Sequence, residues 1–365
     1  VPSAYSPRRC SVGSFIAPER VHMVQISTAT EKAGHSILKG VEEFVHQRVV
    51  GQDETIQGLL IAILTGGHVL LEGLPGLAKT LLVRSLADAL QTSFGRIQFT
   101  PDLLPGDVVG IPVYHQGTGE FRVNKGPIFA NLVFADEINR APPKVQSALL
   151  EAMEERQVTI DGTTYPLPPL FMVLATQNPI EQQGTYPLAE AQMDRFMMKL
   201  RIDYPDREEE REILEQIALS PIGDDGVPLV EQQEVEPDPE LAGEITVGEA
   251  ILKVRKELDD VVVDRKIQEY VVRLVFATRE PAEAGIPELG DFLEFGTSPR
   301  ATIFITRAAR AMAYLKGRDF VLPDDVKTVA YPVLRHRLRT TYEADAKGID
   351  ADQLIDRLLS TVPSP

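Results

Sequence analysis

Gly73-Leu-Pro-Gly-Leu-Ala-Lys-Thr80 decides the reading of this chain. The apolar run His68-Val-Leu-Leu-Glu72 precedes it and reads as a buried strand. Lys79 to Leu90 follows it with helical spacing through Leu81, Leu82, Leu86 and Leu90. Strand, glycine loop and helix in that order make a phosphate-binding loop. Successive backbone N–H groups point into one concavity, and the helix N-terminus adds positive partial charge. In this reading Gly73, Leu74, Pro75, Gly76, Leu77, Ala78, Lys79 and Thr80 cradle the phosphates of ATP. Lys79 reaches the β- and γ-phosphates, and the Thr80 hydroxyl holds Mg2+. Gly73 and Gly76 allow close backbone approach. Ala78 stands where a glycine usually precedes the lysine, and alanine is tolerated there provided that φ is negative. A plain turn with an exposed lysine is the weaker reading, because both flanking elements are present.

Leu132-Val-Phe-Ala-Asp-Glu137 is the natural partner of that loop. A buried strand delivers Asp136 to the sheet edge where open α/β sheets bind ligands. Asp136 is expected on the metal, and Glu137 as the general base for the attacking water. Such a run is weak evidence alone and strong after a phosphate loop. A third strand, Leu170 to Ala175, runs into Thr176-Gln-Asn-Pro179, where the Asn178 amide could orient the water or touch the γ-phosphate.

Further out, Ala29 to Arg48 carries apolar residues at helical spacing, Gly51 breaks the pattern, and Asp53 to Leu64 resumes it. Short apolar strands alternating with helices predict an α/β fold, a mainly parallel sheet covered by helices on both faces. Two segments depart from this rhythm and read as hairpins: Val108 to Lys125 around Gly117-Thr-Gly119, and Gln157 to Pro168 around Asp161-Gly162. From Asp206 the pattern is helical, with Val261 to Thr278 and Ala301 to Leu315 as amphipathic helices. The predicted organisation is a flexible leader over 1–28, an α/β nucleotide-binding domain over 29–203 and an all-helical domain over 204–365.

Composition excludes several classes. With 43% hydrophobic and 25% charged residues in 365, the chain has the balance of a globular protein. Cys10 is the one cysteine, so no internal disulfide forms and a reducing, cytoplasmic compartment is expected. The longest apolar runs, such as Leu59 to Leu64, fall far short of the about 20 residues of a membrane helix. Net charge is −17, but the stretch from Asp203 to Ala250 holds 16 acidic and 2 basic residues, a net of −14, leaving −3 for the rest. No strongly basic nucleic-acid footprint is present. The tract Arg335-His-Arg-Leu-Arg339 is basic but short and is expected on a partner or intersubunit surface.

Six motifs in order, Gly73–Thr80, Ala135-Asp-Glu-Ile-Asn-Arg140, Leu150-Glu-Ala-Met-Glu-Glu-Arg156, Ala175-Thr-Gln-Asn-Pro179, Glu190-Ala-Gln-Met-Asp-Arg-Phe196 and Ser298-Pro-Arg300, resemble the MoxR family of AAA+ ATPases over roughly residues 30 to 340. The resemblance implies a P-loop AAA+ core with a C-terminal helical lid. The two hairpins resemble the helix-2 and pre-sensor-1 inserts of one AAA+ branch. It also implies that Val49, Val50, Gly51 and Gln52 cradle adenine, that Asn178 is sensor 1, that Arg195 is an arginine finger and that Arg300 is sensor 2. A guanidinium beside a γ-phosphoryl transition state is worth about 10³–10⁵ in rate. Whether Arg300 serves its own nucleotide or a neighbour's stays open in the sequence. Arg140, Glu151, Glu154 and Arg156 are candidates for a subunit boundary or a substrate-facing hairpin; a solvated helix face explains the glutamates equally well.

The family implies an ATPase that works as a homo-oligomeric ring, a hexamer by expectation. It pairs with a separate protein carrying a von Willebrand factor A domain and serves assembly, maturation or metal insertion. A magnesium-chelatase-type motor subunit is the alternative. A nucleic-acid translocase is the weaker one, because the hairpins set Arg122, Lys125 and Arg156 against Glu120, Glu154, Glu155 and Asp161. Neither nucleic acid nor membrane insertion is expected.

Overall fold

The computed structural model describes residues 33–74, 76–117, 119–177, 184–215 and 246–365. The leader, Pro75, Asn178 and most of the acidic stretch lie outside the described residues. In chain order the elements are α1 (Ala33–His46), α2 (Asp53–Thr65), β1 (Val69–Gly73), α3 (Lys79–Ala89), β2 (Phe94–Gln98), α4 (Pro105–Val109), β3 (Gly110–His115), β4 (Glu120–Lys125), β5 (Leu132–Asp136), α5 (Pro143–Glu155), β6 (Gln157–Ile160), β7 (Thr163–Pro166), β8 (Met172–Gln177), α6 (Glu190–Met193) and β9 (Met198–Ile202). Helices follow: α7 (Arg207–Ile213), α8 (Val247–Glu257), α9 (Arg265–Arg279), α10 (Leu289–Phe292), α11 (Pro299–Leu315), α12 (Pro323–Leu334), α13 (Tyr342–Ala346) and α14 (Ala351–Thr361).

The main sheet has the order β2-β5-β8-β1-β9, and every pair is parallel. Residues such as Leu70, Leu71, Phe134, Ala135 and Leu174 are buried on both faces, as parallel strands between helical layers require. β3–β4 and β6–β7 are the two expected hairpins, each a separate antiparallel ribbon. The first is shorter than its sequence pattern, because Pro105 to Val109 form a helical turn before it. At the second, Asp161 and Gly162 both have positive φ, the geometry that a two-residue hairpin turn demands.

Two of the five strands were not evident in the sequence. β2 carries Gly95 and Arg96 between its apolar residues, and β9 alternates Met198, Leu200 and Ile202 with Lys199 and Arg201. Those two cations are held by Glu72 of β1, Lys199 at 2.6 Å. The helix expected from Val261 starts later, at Arg265. Val262 pairs with Phe320 as an isolated bridge, and Asp264 caps the helix by accepting from the Lys266 N–H.

The helical part packs along the β9 side of the sheet. Arg201 pairs with Asp352 of α14 at 2.8 Å, and Arg335, just after α12, holds the same carboxylate at 2.7 Å. α8 follows the acidic stretch but packs against α1 and α2. Its Gly248 N–H donates to the Leu90 carbonyl, and Arg255 donates to the Ile63 carbonyl. One apolar cluster runs without a break from Ile63, Leu71 and Leu200 through Val254, Leu274 and Ile305 to Leu334 and Leu358. No helix among the described residues is long and apolar enough to cross a membrane.

Candidate active site

The phosphate loop leaves β1 at the C-terminal edge of the sheet and enters α3 at Lys79. Gly73 cannot carry a side chain, since a Cβ there would lie 2.7 Å from the Ile202 carbonyl oxygen. Gly76 takes φ +87°, left-handed backbone open to glycine. Ala78 also lies in that region, at φ +48°. The expectation of a negative φ is therefore wrong. The loop needs one more left-handed residue to turn its N–H groups inward before α3 begins, and alanine accepts that at a cost of about 1–2 kcal/mol. Leu77 anchors the loop by packing against the core, and Thr80 sits half-buried in the first turn of α3.

The Lys79 ammonium donates to the Gly73 and Leu74 carbonyls at 2.5 and 3.0 Å. Partial burial lowers its pKa, and the Asp136 and Glu137 carboxylates act in the opposite direction. The lysine thus shares one electrostatic environment with both acids, which β5 delivers to the same edge.

Those acids are fixed by residues that the sequence reading did not single out. Thr176, buried at the end of β8, donates through Oγ1 to Asp136 Oδ1 at 2.8 Å and accepts from the Glu137 N–H at 2.7 Å. Arg96 of β2 holds Asp136 Oδ2 at 2.8 Å. Gln98, at the end of the same strand, donates to Glu137 Oε2 at 2.9 Å, and Arg140 approaches that oxygen at 3.1 Å. Glu137 takes φ +57°, which bends the chain off β5 and turns the carboxylate toward β2. Thr176 stands inside the quoted motif Ala175–Pro179, the one available signal for it. Arg96 and Gln98 lie in the strand that the sequence did not reveal.

Val49, Val50, Gly51 and Gln52 come to the same edge. Gly51 and Gln52 are left-handed, at φ +66° and +62°, and the Gln52 amide donates to the Asp203 carbonyl just beyond β9 at 3.2 Å. Val49 is buried, and a Cβ on Gly51 would collide with the Glu209 carboxylate. Asn178, next after β8, lies outside the described residues.

Arg195 and Arg300 are elsewhere. Arg195 precedes β9, whose N-terminal end lies beside the N-terminal end of β1: Met197 N–H donates to the His68 carbonyl at 2.8 Å, and Met198 pairs with Val69. The phosphate loop begins past the other end of β1, roughly 13 Å further on at about 3.3 Å per residue. Arg300, in the first turn of α11, joins Arg195. Arg195 holds Glu154 Oε2 at 2.9 Å and Arg300 holds Glu154 Oε1 at 2.5 Å. Beneath them Asp194 accepts from Ser298 Oγ and from Arg337 Nε, both at 2.8 Å. Arg337 is almost fully enclosed, and burial pulls its pKa down to about 10 against the opposing pull of Asp194.

The basic tract at 335–339 is consequently not the expected surface. Arg335 and Arg337 turn inward to Asp352 and Asp194, and His336 is buried against the Phe196 carbonyl. Arg339 is exposed but paired with Glu190 and Glu294. Among the other candidates, Arg156 binds the Gly66 and Phe171 carbonyls and serves the packing of the sheet's lower end.

Comparison with known proteins agrees with this geometry. Residues 68–198 match the family described as ATPase family associated with various cellular activities (AAA), and residues 291–358 match the AAA lid domain. The P-loop sheet and helical lid define an AAA+ ATPase, an enzyme that binds and hydrolyses ATP. The chain is 45% identical over 331 residues to Chaperone MoxR1 of Mycobacterium tuberculosis, spanning 91% of this chain and 83% of that one. It is 35% identical over 350 residues to Protein MoxR of Paracoccus denitrificans, spanning 91% and 97%. A solved structure from Cytophaga hutchinsonii, 47% identical, superposes with a TM-score of 0.80 over 91% of this chain and 96% of that one. The chain belongs to the MoxR family of AAA+ ATPases.

Proposed function

We propose that this ATPase assembles as a ring, a hexamer, in which Arg195 and Arg300 of one copy complete the phosphate-loop site of the next. The observation that carries the reading is the placement of the two arginines at the sheet end opposite Lys79, gathered on one carboxylate. In this reading they serve a γ-phosphate that their own chain does not hold.

Within each site Lys79 binds the β- and γ-phosphates and the loop N–H groups cradle them. Val50, Gly51 and Gln52 receive the adenine, and Asn178 orients the water. Gln98 and Arg140 occupy Glu137 Oε2, so Oε1 is the oxygen that takes the proton of the attacking water. Asp136 already faces one cation, the Arg96 guanidinium, and with the Thr80 hydroxyl offers the hard oxygen donors that suit Mg2+. Thr80 and Asp136 would hold that ion, which would neutralise charge on the phosphates.

The work done with ATP is remodelling of a separate protein, in keeping with the relative named a chaperone. A protein carrying a von Willebrand factor A domain is the proposed partner. The reading is tested by ATPase rate against protein concentration, with light-scattering mass in parallel. Specific activity should rise as the large oligomer forms. Arg195→Ala and Lys79→Ala chains, each inactive, should regain part of the activity when mixed. A flat rate in a monomer, or no regain, overturns the shared site.

A further inference from the structure

We propose that Glu154 is a positioning residue for the arginine pair, setting the two guanidiniums side by side so that they address one anion together. The inference rests on the shared-site reading above and adds a residue to it.

The geometry has three parts. One carboxylate serves both arginines, Oε2 to Arg195 and Oε1 to Arg300, so its two oxygens fix the separation of the guanidiniums. The anchor points of the arginines are tied as well. Asp194, next to Arg195, accepts from Ser298, which caps the helix that begins with Pro299 and Arg300. Glu154 itself stands on a rigid support. It lies in the last turn of α5, whose Leu149, Leu150 and Met153 are buried and whose Gln146 donates to the Ile138, Ala141 and Tyr186 carbonyls. A recess of about 280 Å³ lined by Ser147, Glu151, Glu154, Glu155, Gln192 and Arg195 opens beside Arg195, and Arg300 is itself partly exposed, so both guanidiniums are reachable from outside the chain.

Without Glu154 the two guanidiniums repel each other, and Asp194, 3.9 Å from Arg300, is left to hold only one of them. With Glu154, they are presented as a preformed fork, which removes the entropy of arranging two long side chains when the neighbour's phosphate arrives. The arginines are about a third exposed, so the pairing contributes little to folding; its value is geometric.

The test is E154Q, which keeps shape and removes charge. Its melting temperature should match the parent's. Its kcat should fall about 10- to 100-fold, the cost of misplacing a catalytic group by about 1 Å, with KM for ATP changed less than about twofold. Lys79→Ala chains carry an intact Glu154 and arginine pair, so adding them should raise turnover per E154Q site. Parent-like kcat in E154Q overturns the proposal. So does a loss that added Lys79→Ala chains fail to relieve while the Arg195→Ala loss is relieved; the ring then stands and Glu154 has no part in it. If neither loss is relieved, the shared site itself falls and the proposal with it.

Discussion

The Thr176 hydroxyl lies 2.8 Å from Asp136 Oδ1 and at the same time accepts the N–H of Glu137, so one buried oxygen holds both acids in register. Thr176→Val removes both bonds and strands the Glu137 N–H, which costs about 1–3 kcal/mol of stability. ATP turnover should fall about tenfold or more, because the acids lose their fixed placement. Thr176→Ser should retain most of the activity. Thermal unfolding and steady-state ATPase assays of the two variants check this; equal activity in both would remove Thr176 from the site.

The sequence separates the roles of Lys79 and Glu137, whose opposite charges act on one another at this edge of the sheet. Lys79→Ala should lose binding of a fluorescent ATP analogue. Glu137→Gln should bind it normally and hydrolyse about 10²–10⁴-fold more slowly, the usual worth of a general base. Loss of binding in Glu137→Gln would mean that the carboxylate serves the loop's shape rather than the water.

Ala78 holds a left-handed backbone at φ +48°. Relief of about 1–2 kcal/mol by glycine is partly offset by its greater freedom in the unfolded chain, about 0.5–1 kcal/mol. Ala78→Gly should therefore be neutral or stabilising by up to about 1.5 kcal/mol, with ATPase activity kept. Ala78→Val, β-branched at positive φ, should lower both melting temperature and nucleotide affinity. Calorimetric melting of the pair decides it.

His68 is enclosed and neutral. Its Nδ1 accepts from the Val173 N–H at 3.0 Å, which leaves Nε2–H to donate to the Met153 carbonyl at 3.2 Å. Burial first, then the nearby Arg156 charge, brings its pKa down from 6.5 to about 3. The unfolded chain regains the ordinary value and binds the extra proton between those limits. Stability should fall as pH drops below about 6.5, by up to about 1.4 kcal/mol per pH unit. His336, also lowered by burial, acts in the same direction. Urea midpoints between about pH 7.5 and 5 should show this slope, and His68→Gln, which can both accept and donate, should reduce it and leave the His336 share.

The sheet's inner strands were legible because they are apolar end to end: Val69 to Leu71, Leu132 to Ala135 and Met172 to Ala175 need no partner to announce their burial. β2 and β9 were not, since they are the sheet's edge strands and carry Arg96, Lys199 and Arg201, whose partners Asp136, Glu72 and Asp352 lie far away in sequence. The site divides in the same way. Backbone-determined parts, the phosphate loop and the acid pair, stand as local strings. Thr176, Arg96, Gln98 and Glu154 act only through side chains brought from other elements. Glu154, near a helix end, reads equally well as a solvated face until Arg195 and Arg300 are seen on either side of it.

The apolar cluster that runs from Ile63 and Leu71 through Leu274 to Leu358 has a thermodynamic consequence. It joins the lid to one side of the sheet, while a second cluster, with Leu70, Phe99, Val133, Leu149 and Phe171, serves the sheet alone, so the lid should not melt without uncovering the sheet. A fragment cut after β9 would keep every residue of the phosphate loop and both acids, yet uncover the apolar part of β9 that α12 now covers. Such a fragment would aggregate rather than hydrolyse ATP.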